Sequence, residues 1–280
     1  MAKKSPRESS AQAGKICVYI VAHADDWQLF MQPNVYFDMV SPRSKVILII
    51  TTAGDAGKAD NYWMAREEGA KSSVRYCLAH QSPLTVSNGK RKFFNNSIEY
   101  WSCNQVTIYF LRLPDGNLDG TGFASSNFQS LYRLKRSQSS TVSAIDHSAT
   151  YDWLKFISVI DSITGYESTG IVNRWIHYLS PDPLINPNDH SDHVMTGLAV
   201  QKITSINSFQ QLVYTGYAVS SHPATLSSTD LFWKAGMFAV YEKAVHDLCG
   251  YSTLAENVDL YVKWCCTGPK IEMVPASSDV

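Results

Sequence analysis

The chain has 280 residues, with an apolar fraction of 45% and a charged fraction of 18%, both ordinary for a globular protein. Its formal net charge of −1 argues against a nucleic-acid partner held by phosphate neutralisation, so we expect a small-molecule substrate of little charge. Runs of about 18 apolar residues, which a membrane helix needs, do not occur, and the polar N-terminal residues do not resemble a secretory signal. We therefore expect no membrane span and a cytoplasmic location.

The six cysteines are scattered, and no two of them form a C-x-x-C pair. This spacing predicts neither a disulfide framework nor a structural zinc site of the usual cysteine type. Reduced and mostly buried thiols are the simplest interpretation.

Strands and helices alternate along the first part of the chain. Residues 16–22 and 45–51 are continuous apolar, β-branched runs, which are typical of strands covered on both faces of a parallel sheet. Between them, residues 27–39 have apolar positions at helical spacing, and Pro33 is tolerated where a helix begins. Residues 61–78 are rich in Ala, Glu, Lys and Arg and predict a helix.

The later elements continue the alternation. The pattern predicts strands at 106–111, 175–179 and 213–219 and helices at 152–163, 193–204 and 231–248. These elements together predict an α/β fold: a Rossmann-like, mostly parallel sheet with helices on both faces and an active site at the C-terminal ends of the strands.

We predict one structural domain, at residues 16–270. Residues 1–15 are polar and basic and predict a disordered leader, and residues 271–280 predict a flexible tail. Residues 120–148 are rich in Ser, Thr, Asn and Gln, which indicates a polar insertion at the surface or a flexible lid.

Polar clusters follow the predicted strands. His23, Asp25 and Asp26 come after the first strand, Asp55 follows the second, and Asp115 follows a later one. Unpaired charge is costly just beyond a buried strand, so adjacent aspartates there require a cation or a dense hydrogen-bond network. The alternative is that they cap a helix N-terminus.

A second cluster, His190-Ser-Asp-His193, follows the predicted strand at 175–179. Catalytic zinc takes three protein ligands and leaves one position for water, and a nearby carboxylate can accept the proton of that water. His23 and Asp26 can converge on a tight turn, and either His190 or His193 can complete the set. A hydrogen-bonded structural role for each residue remains the alternative.

These two clusters carry a family resemblance. His23-Ala-Asp-Asp26 after an apolar strand resembles the A-H-P-D-D-E motif of the GlcNAc-phosphatidylinositol de-N-acetylase (PIG-L/LmbE-like) family, and the 190–193 cluster resembles that family's H-P-D-H motif. The segment ending at Asp55 and the segment 113–116 (L-P-D-G) resemble two further family loops. The resemblance implies a zinc-dependent hydrolase that removes the N-acetyl group from an N-acetylglucosamine-type sugar or a similar small amide.

The resemblance also implies a role for each matching residue. Zinc would be held by His23, Asp26 and His193, Asp25 would act as general base, and His190 would face the tetrahedral intermediate. Asp192 would orient a histidine, while Arg66 and Asp115 would contact the substrate.

The main departure from the family motif is Trp27, which replaces the glutamate. A tryptophan there offers a stacking face to a substrate ring, so we expect Trp27 in the substrate site. Its presence leaves two alternatives open: a family hydrolase acting on another acyl or thiol-conjugate amide, or a non-catalytic member that binds a metal or ligand. A nucleotide-binding Rossmann domain is disfavoured, because no G-x-G-x-x-G segment occurs.

Overall fold

A computed structural model describes residues 14–58 and 60–276, without the side chain of Glu256. The strands, in chain order, are β1 (Lys15–Val21), β2 (Ser44–Thr52), β3 (Val86–Phe93), β4 (Asn96–Cys103), β5 (Val106–Leu113), β6 (Val142–Ser143), β7 (Thr150–Tyr151), β8 (Arg174–Leu179), β9 (Gln210–Tyr214) and β10 (Ile271–Val274). The helices are α1 (Asp26–Phe30), α2 (Asn34–Val40), α3 (Tyr62–Leu78), α4 (Leu131–Lys135), α5 (Trp153–Ser168), α6 (Ser191–Val200), α7 (Ser228–Cys249) and α8 (Val258–Cys266).

Eight strands form one mixed sheet in the order β10-β9-β8-β1-β2-β5-β4-β3, and β6 pairs with β7 separately. The five central strands from β9 to β5 are parallel, whereas β10, β4 and β3 are antiparallel to their neighbours. The α/β fold with a mostly parallel sheet is thus confirmed. No helix in the described part of the chain is long and apolar enough to cross a bilayer; the cytoplasmic location stays a prediction.

Two apolar cores cover the two faces of this sheet, as predicted. One core contains residues of α1, α2, α3, α7 and α8, and the other contains residues of α4, α5 and α6. Because β1 and β2 lie between the two cores, their side chains are buried on both sides, which explains their continuous apolar sequence.

Three predicted irregular segments can be compared with the structure. Within residues 120–148, Leu131, Leu134 and Val142 are buried in the second core, so packing anchors part of this segment; the polar insertion stays a prediction. The first four residues of the predicted tail form β10, because their backbone pairs with the open edge of β9. Residues 1–13 of the predicted leader and residues 277–280 of the tail lie outside the described residues, and Lys15 begins β1.

The strand predicted at 213–219 is shorter than expected. Strand β9 ends at Tyr214, and the chain turns at Gly216 into a short 3-10 segment, Tyr217–Ser221. The antiparallel strands β3, β4 and β10 and the helix α8 were not predicted at all. Strand β3 is almost entirely exposed, so its sequence carries no apolar alternation.

Candidate metal centre and active site

The predicted site residues converge at the carboxyl ends of the parallel strands. His23 lies two residues beyond β1, Asp55 lies beyond β2, and Asp115 lies beyond β5. His190 lies between β8 and α6 and caps the N-terminus of that helix. In the sheet, β2 lies on one side of β1 and β8 lies on the other. The loops that follow these strands therefore border the crevice in which α/β folds bind ligands.

Three potential ligand atoms form a tight triangle in this crevice. His193 Nε2 lies 3.1 Å from both His23 Nδ1 and Asp26 Oδ1, and His23 Nδ1 lies 3.5 Å from Asp26 Oδ1. Ligand atoms bound tetrahedrally to zinc at about 2.0–2.1 Å are separated by about 3.3 Å. The three side chains therefore fit an ion of this size, and all of them are buried.

Each of these three side chains is held by a further hydrogen bond or charge. Asp26 Oδ2 accepts the backbone N–H of His23 at 2.8 Å. His193 Nδ1 lies 3.0 Å from Asp189 Oδ1, and donation to this carboxylate leaves Nε2 with the lone pair that a metal needs. His23 Nε2 lies 3.5 Å from Asp192 Oδ2.

Asp189 was not singled out from the sequence. It stands four residues before His193, one helical turn away across the start of α6, and this spacing was the signal available.

The electrostatics of the triangle favour a cation. Burial alone would lower the pKa of His23, but Asp26, Asp192 and Asp115 outweigh it and raise the pKa to about 10. Burial of His193 is likewise outweighed by its carboxylate neighbours Asp189 and Asp26, which raise its pKa well above the usual range. The surplus of carboxylates around these rings thus stabilises positive charge between them, whether a proton or a metal ion carries it.

Asp25 is fixed beside the triangle by Arg66. The guanidinium donates through Nη2 to Asp25 Oδ1, through Nη1 to the carbonyl oxygen of Gly54 at 2.8 Å, and through Nε to the hydroxyl of Tyr241 at 2.8 Å. Gly54 has a φ of +58°, and a Cβ there would overlap the Arg66 side chain. In the segment that ends at Asp55, the absence of a Cβ at Gly54 thus leaves the space that the Arg66 side chain occupies. Arg66 also borders the cavity, but its nearest partner is Asp25.

His190 is held as a neutral hydrogen-bond donor. Its Nδ1 accepts the backbone N–H of Asp192 at 3.2 Å, so the proton lies on Nε2, 3.7 Å from Asp115 Oδ1. Burial and the neighbouring rings of His23 and His193 lower its pKa to about 4. The imidazole is therefore neutral at pH 7.

Gly116, the last residue of the Leu-Pro-Asp-Gly segment, completes the support of Asp192. Its backbone N–H donates to Asp192 Oδ2 at 2.8 Å, and a Cβ on this glycine would lie 2.5 Å from Asp192 Oδ1. This close approach explains the glycine at this position.

His23 and Asp26 of the triangle line a cavity of ≈280 Å³, together with Asp25, His190 and several aromatic side chains. The aromatic lining residues are Phe30, Tyr62, Phe123, Tyr217, Tyr261 and Trp264. Tyr217 packs edge-on against His193, with ring centroids 5.1 Å apart, and stacks on Trp264. None of these six residues was predicted, because no motif marks them as site residues.

A second cavity of ≈330 Å³ shares two loops with the first. Asp55 and Pro114 line the second cavity, while the next residues in the chain, Ala56 and Asp115, line the first. The wall of the second cavity includes Ser125, Ser126, Asn127 and Trp63.

The family is decided by comparison with known proteins. The model of the GlcNAc-PI de-N-acetylase (PIG-L) family matches residues 18–204, about two thirds of the chain. The chain belongs to this family. It is therefore an enzyme of the metal-dependent deacetylase type, and the predicted resemblance is confirmed. A search of curated protein sequences gives no significant match.

Solved structures with the PIG-L-type fold include two forms of a deacetylase of the teicoplanin biosynthetic pathway. A triple mutant has 12% identity and a TM-score of 0.54, and a complex with bog has 14% identity and the same TM-score; each comparison covers 95% of this chain and 100% of the other. The zinc-inhibited form of teicoplanin deacetylase has 13% identity, a TM-score of 0.50 and the same coverage. At these identities the likeness concerns the fold.

Trp27, which replaces the glutamate of the PIG-L motif, does not border the cavity. It is fully buried in the core on the α3 and α7 side of the sheet. The predicted stacking contact with a substrate is therefore wrong: the residue after Asp26 faces the core from the short helix α1, so that its ring packs against apolar side chains.

Proposed function

We propose that this chain removes the N-acetyl group from an acetylamino sugar or a similar small amide, with Zn²⁺ held by His23 Nδ1, Asp26 Oδ1 and His193 Nε2. The observation that carries the proposal is the triangle of these atoms, with sides of 3.1–3.5 Å. Its residues His23 and Asp26 line a cavity together with Asp25 and His190. A zinc ion bound there would lower the pKa of a water ligand and polarise the amide carbonyl.

Asp25 acts as the general base. Arg66 holds its Oδ1, while Oδ2 accepts no hydrogen bond from any residue in the described ranges and is free to take a proton from the attacking water. The arginine acts as a positioning residue, because its hydrogen bond fixes the carboxylate in one orientation. The same carboxylate then returns the proton to the departing amine.

His190 stabilises the negative oxygen that develops as water adds to the amide. Its Nε2–H points to the cavity because Nδ1 is occupied by the start of α6. A neutral donor that is already oriented loses little energy in reorganisation when the charge forms. Asp115, 3.7 Å from this ring, and Asp192 hold the two cavity histidines in place.

The aromatic wall supports a sugar as the substrate. Flat aromatic faces such as Tyr217, Tyr261 and Trp264 pack against the apolar face of a pyranose, and the small cavity suits one ring with its acetamido group. The neighbouring cavity beside Trp63 offers polar contacts to the group attached to that ring.

The same wall supports a second candidate, a hydrolase of amides with a larger or more apolar acyl group. Six aromatic residues exceed what the methyl of an acetyl group needs, and they could cover a longer acyl chain. Substrate length distinguishes the two candidates, because a sugar deacetylase loses rate when the acyl chain is extended.

The test is a release assay on a panel of N-acetylated sugars and N-acyl amines of increasing length, with the Asp25→Asn variant beside the wild type. We expect acetate release from an acetylamino sugar and a loss of about 10²–10⁴-fold in Asp25→Asn with metal content unchanged. Asp247→Asn, at an exposed position on α7, is the matched control and should keep full rate. Bound metal without release from any member of the panel would favour the non-catalytic alternative.

A further inference from the structure

A second group of potential ligands lies near the opposite ends of β1 and β8. Cys17 and Tyr19 project from one face of β1, and His177, which pairs in register with Tyr19, projects from the same face of β8. Asp38 of α2 covers them. Cys17 precedes His23 by six residues of extended chain, so the two groups are roughly 20 Å apart.

The polar atoms of this group are held in defined orientations. Asp38 Oδ1 accepts from Lys15 Nζ at 2.8 Å, and Asp38 Oδ2 accepts from the Tyr19 hydroxyl at 2.6 Å. His177 Nδ1 lies 2.9 Å from the Tyr214 hydroxyl, and the His177 ring stacks on Tyr19 with centroids 3.9 Å apart.

One atom of the group lacks a partner. His177 is 1% exposed, and among the described residues its Nε2 has no hydrogen-bond partner. This nitrogen faces Asp38 Oδ2 at 3.9 Å. The Cys17 sulfur, a carboxylate oxygen of Asp38 and a ring nitrogen of His177 all lie within 4.8 Å of one another. A buried imidazole nitrogen left without a partner costs free energy unless something binds it.

We propose that Cys17 Sγ, Asp38 Oδ2 and His177 Nε2 form a second binding site, for a borderline-soft divalent cation such as Zn²⁺. Thiolate, carboxylate and imidazole are all zinc ligands, and a water molecule would complete the tetrahedron. The separation of 3.9 Å between the nitrogen and the oxygen would have to shrink by about 0.6 Å to match ligands 2.0–2.1 Å from zinc.

The hydrogen bonds around the three ligands support them. A carboxylate oxygen has two lone pairs, so Asp38 Oδ2 can accept from Tyr19 and bind a cation at once. Donation from His177 Nδ1 to Tyr214 would leave the lone pair on Nε2. The cation would thus meet ligands that are already oriented, on three different elements.

Binding would replace one proton. The Cys17 Sγ–H bond breaks, a metal–sulfur bond forms, and the proton leaves to solvent on the side of Lys15, whose side chain is 30% exposed. Because binding releases this proton, affinity for the cation should increase with pH. The ion would join β1, β8 and α2 and stabilise the fold without contributing to turnover.

Cobalt(II) absorbance tests the site directly, because the catalytic ligands include no thiolate. We expect the His193→Ala chain to bind one Co²⁺ with near-ultraviolet thiolate-to-metal absorption and the release of one proton. Cys17→Ser and His177→Gln in the same background should each abolish that absorption. Cys103→Ser should keep it, since Cys103 is equally buried and belongs to no ligand group of the described residues.

Thermal unfolding provides the second measurement. Added Zn²⁺ should raise the melting temperature of the His193→Ala chain and leave that of the His193→Ala/His177→Gln chain unchanged. The proposal is overturned if the His193→Ala chain shows no thiolate absorption with Co²⁺, or if the absorption survives Cys17→Ser. Either result would make the group a closed hydrogen-bond network around Asp38. Neither depends on amide hydrolysis, so this proposal and the proposed function can fail separately.

Discussion

The Asp189→Asn variant tests whether the Asp189 carboxylate strengthens zinc binding by His193. Its Oδ1 lies 3.0 Å from His193 Nδ1 and also accepts the backbone N–H of Tyr217 at 3.1 Å, while its Oδ2 accepts from Asn186. Asp189→Asn keeps the size of the side chain and one carbonyl oxygen for the histidine. It removes the negative charge that makes His193 a stronger ligand.

Loss of a carboxylate that hydrogen-bonds to a metal-binding histidine typically weakens metal binding 10–100-fold, which corresponds to about 1.4–2.8 kcal/mol of binding free energy. We expect Asp189→Asn to bind zinc more weakly by this factor in a competition titration with a chelator. Its hydrolysis rate should be low at limiting zinc and should recover when zinc is raised. Asp25→Asn should not recover, because its defect lies in proton transfer.

Asp182→Asn is the matched control, since Asp182 lies in the same loop, is exposed, and caps a local turn through the N–H of Leu184. Its zinc affinity should equal that of the wild type. A zinc affinity of Asp189→Asn within about twofold of wild type, with the fold intact by circular dichroism, would refute the role given to Asp189.

Three further changes test separate parts of the structure. Arg66→Met should lower kcat about 10²-fold with zinc content and KM little changed, because the Asp25 carboxylate is no longer held in position. Steady-state kinetics and metal analysis measure these quantities, and a raised KM with unchanged kcat would show that Arg66 mainly binds substrate. Trp27→Phe should leave KM unchanged and lower the free energy of unfolding in urea by about 1–2 kcal/mol, since Trp27 is a core residue; an altered KM would contradict its placement. Burial lowers the pKa of Lys234 from 10.5 to about 8, and between these values the unfolded chain holds a proton that the folded lysine lacks. Wild type should therefore gain stability relative to Lys234→Met as the pH rises through this window, by at most about 3 kcal/mol; urea unfolding at pH 8 and 10.5 measures this difference, and a constant difference would exclude it.

The central strands β1, β2 and β5 were predictable because each is buried on both faces. Residues 16–21 and 46–50 are almost all fully buried, and such strands need continuous apolar sequence. The edge strands carry no such pattern: β3 contains Lys90, Arg91 and Lys92 in a row, and β10 is exposed throughout. Their position depends on backbone pairing with a neighbour that is distant in the chain, which local sequence does not reveal.

The candidate site, like the fold, was predictable from the sequence only in part. His23, Asp26 and His193 were identified because motif residues follow strand ends, and the structure brings them together. The side-chain partners of these motif residues depend on tertiary packing. The pairing of Arg66 with Asp25 spans 41 positions, and nothing in the local sequence distinguishes it from a substrate contact. Trp27 was misassigned because motif position alone does not say which way a side chain points from a short helix.

The measurement that tests the central claim most directly is the number of zinc ions per chain in the wild type and in His193→Ala, by elemental analysis of purified protein. His246→Ala, on the exposed side of α7, serves as the control. We expect His193→Ala to lose one equivalent of zinc relative to the wild type and His246→Ala to lose none. Equal zinc content in all three proteins would contradict the assignment of His23, Asp26 and His193 as a metal site.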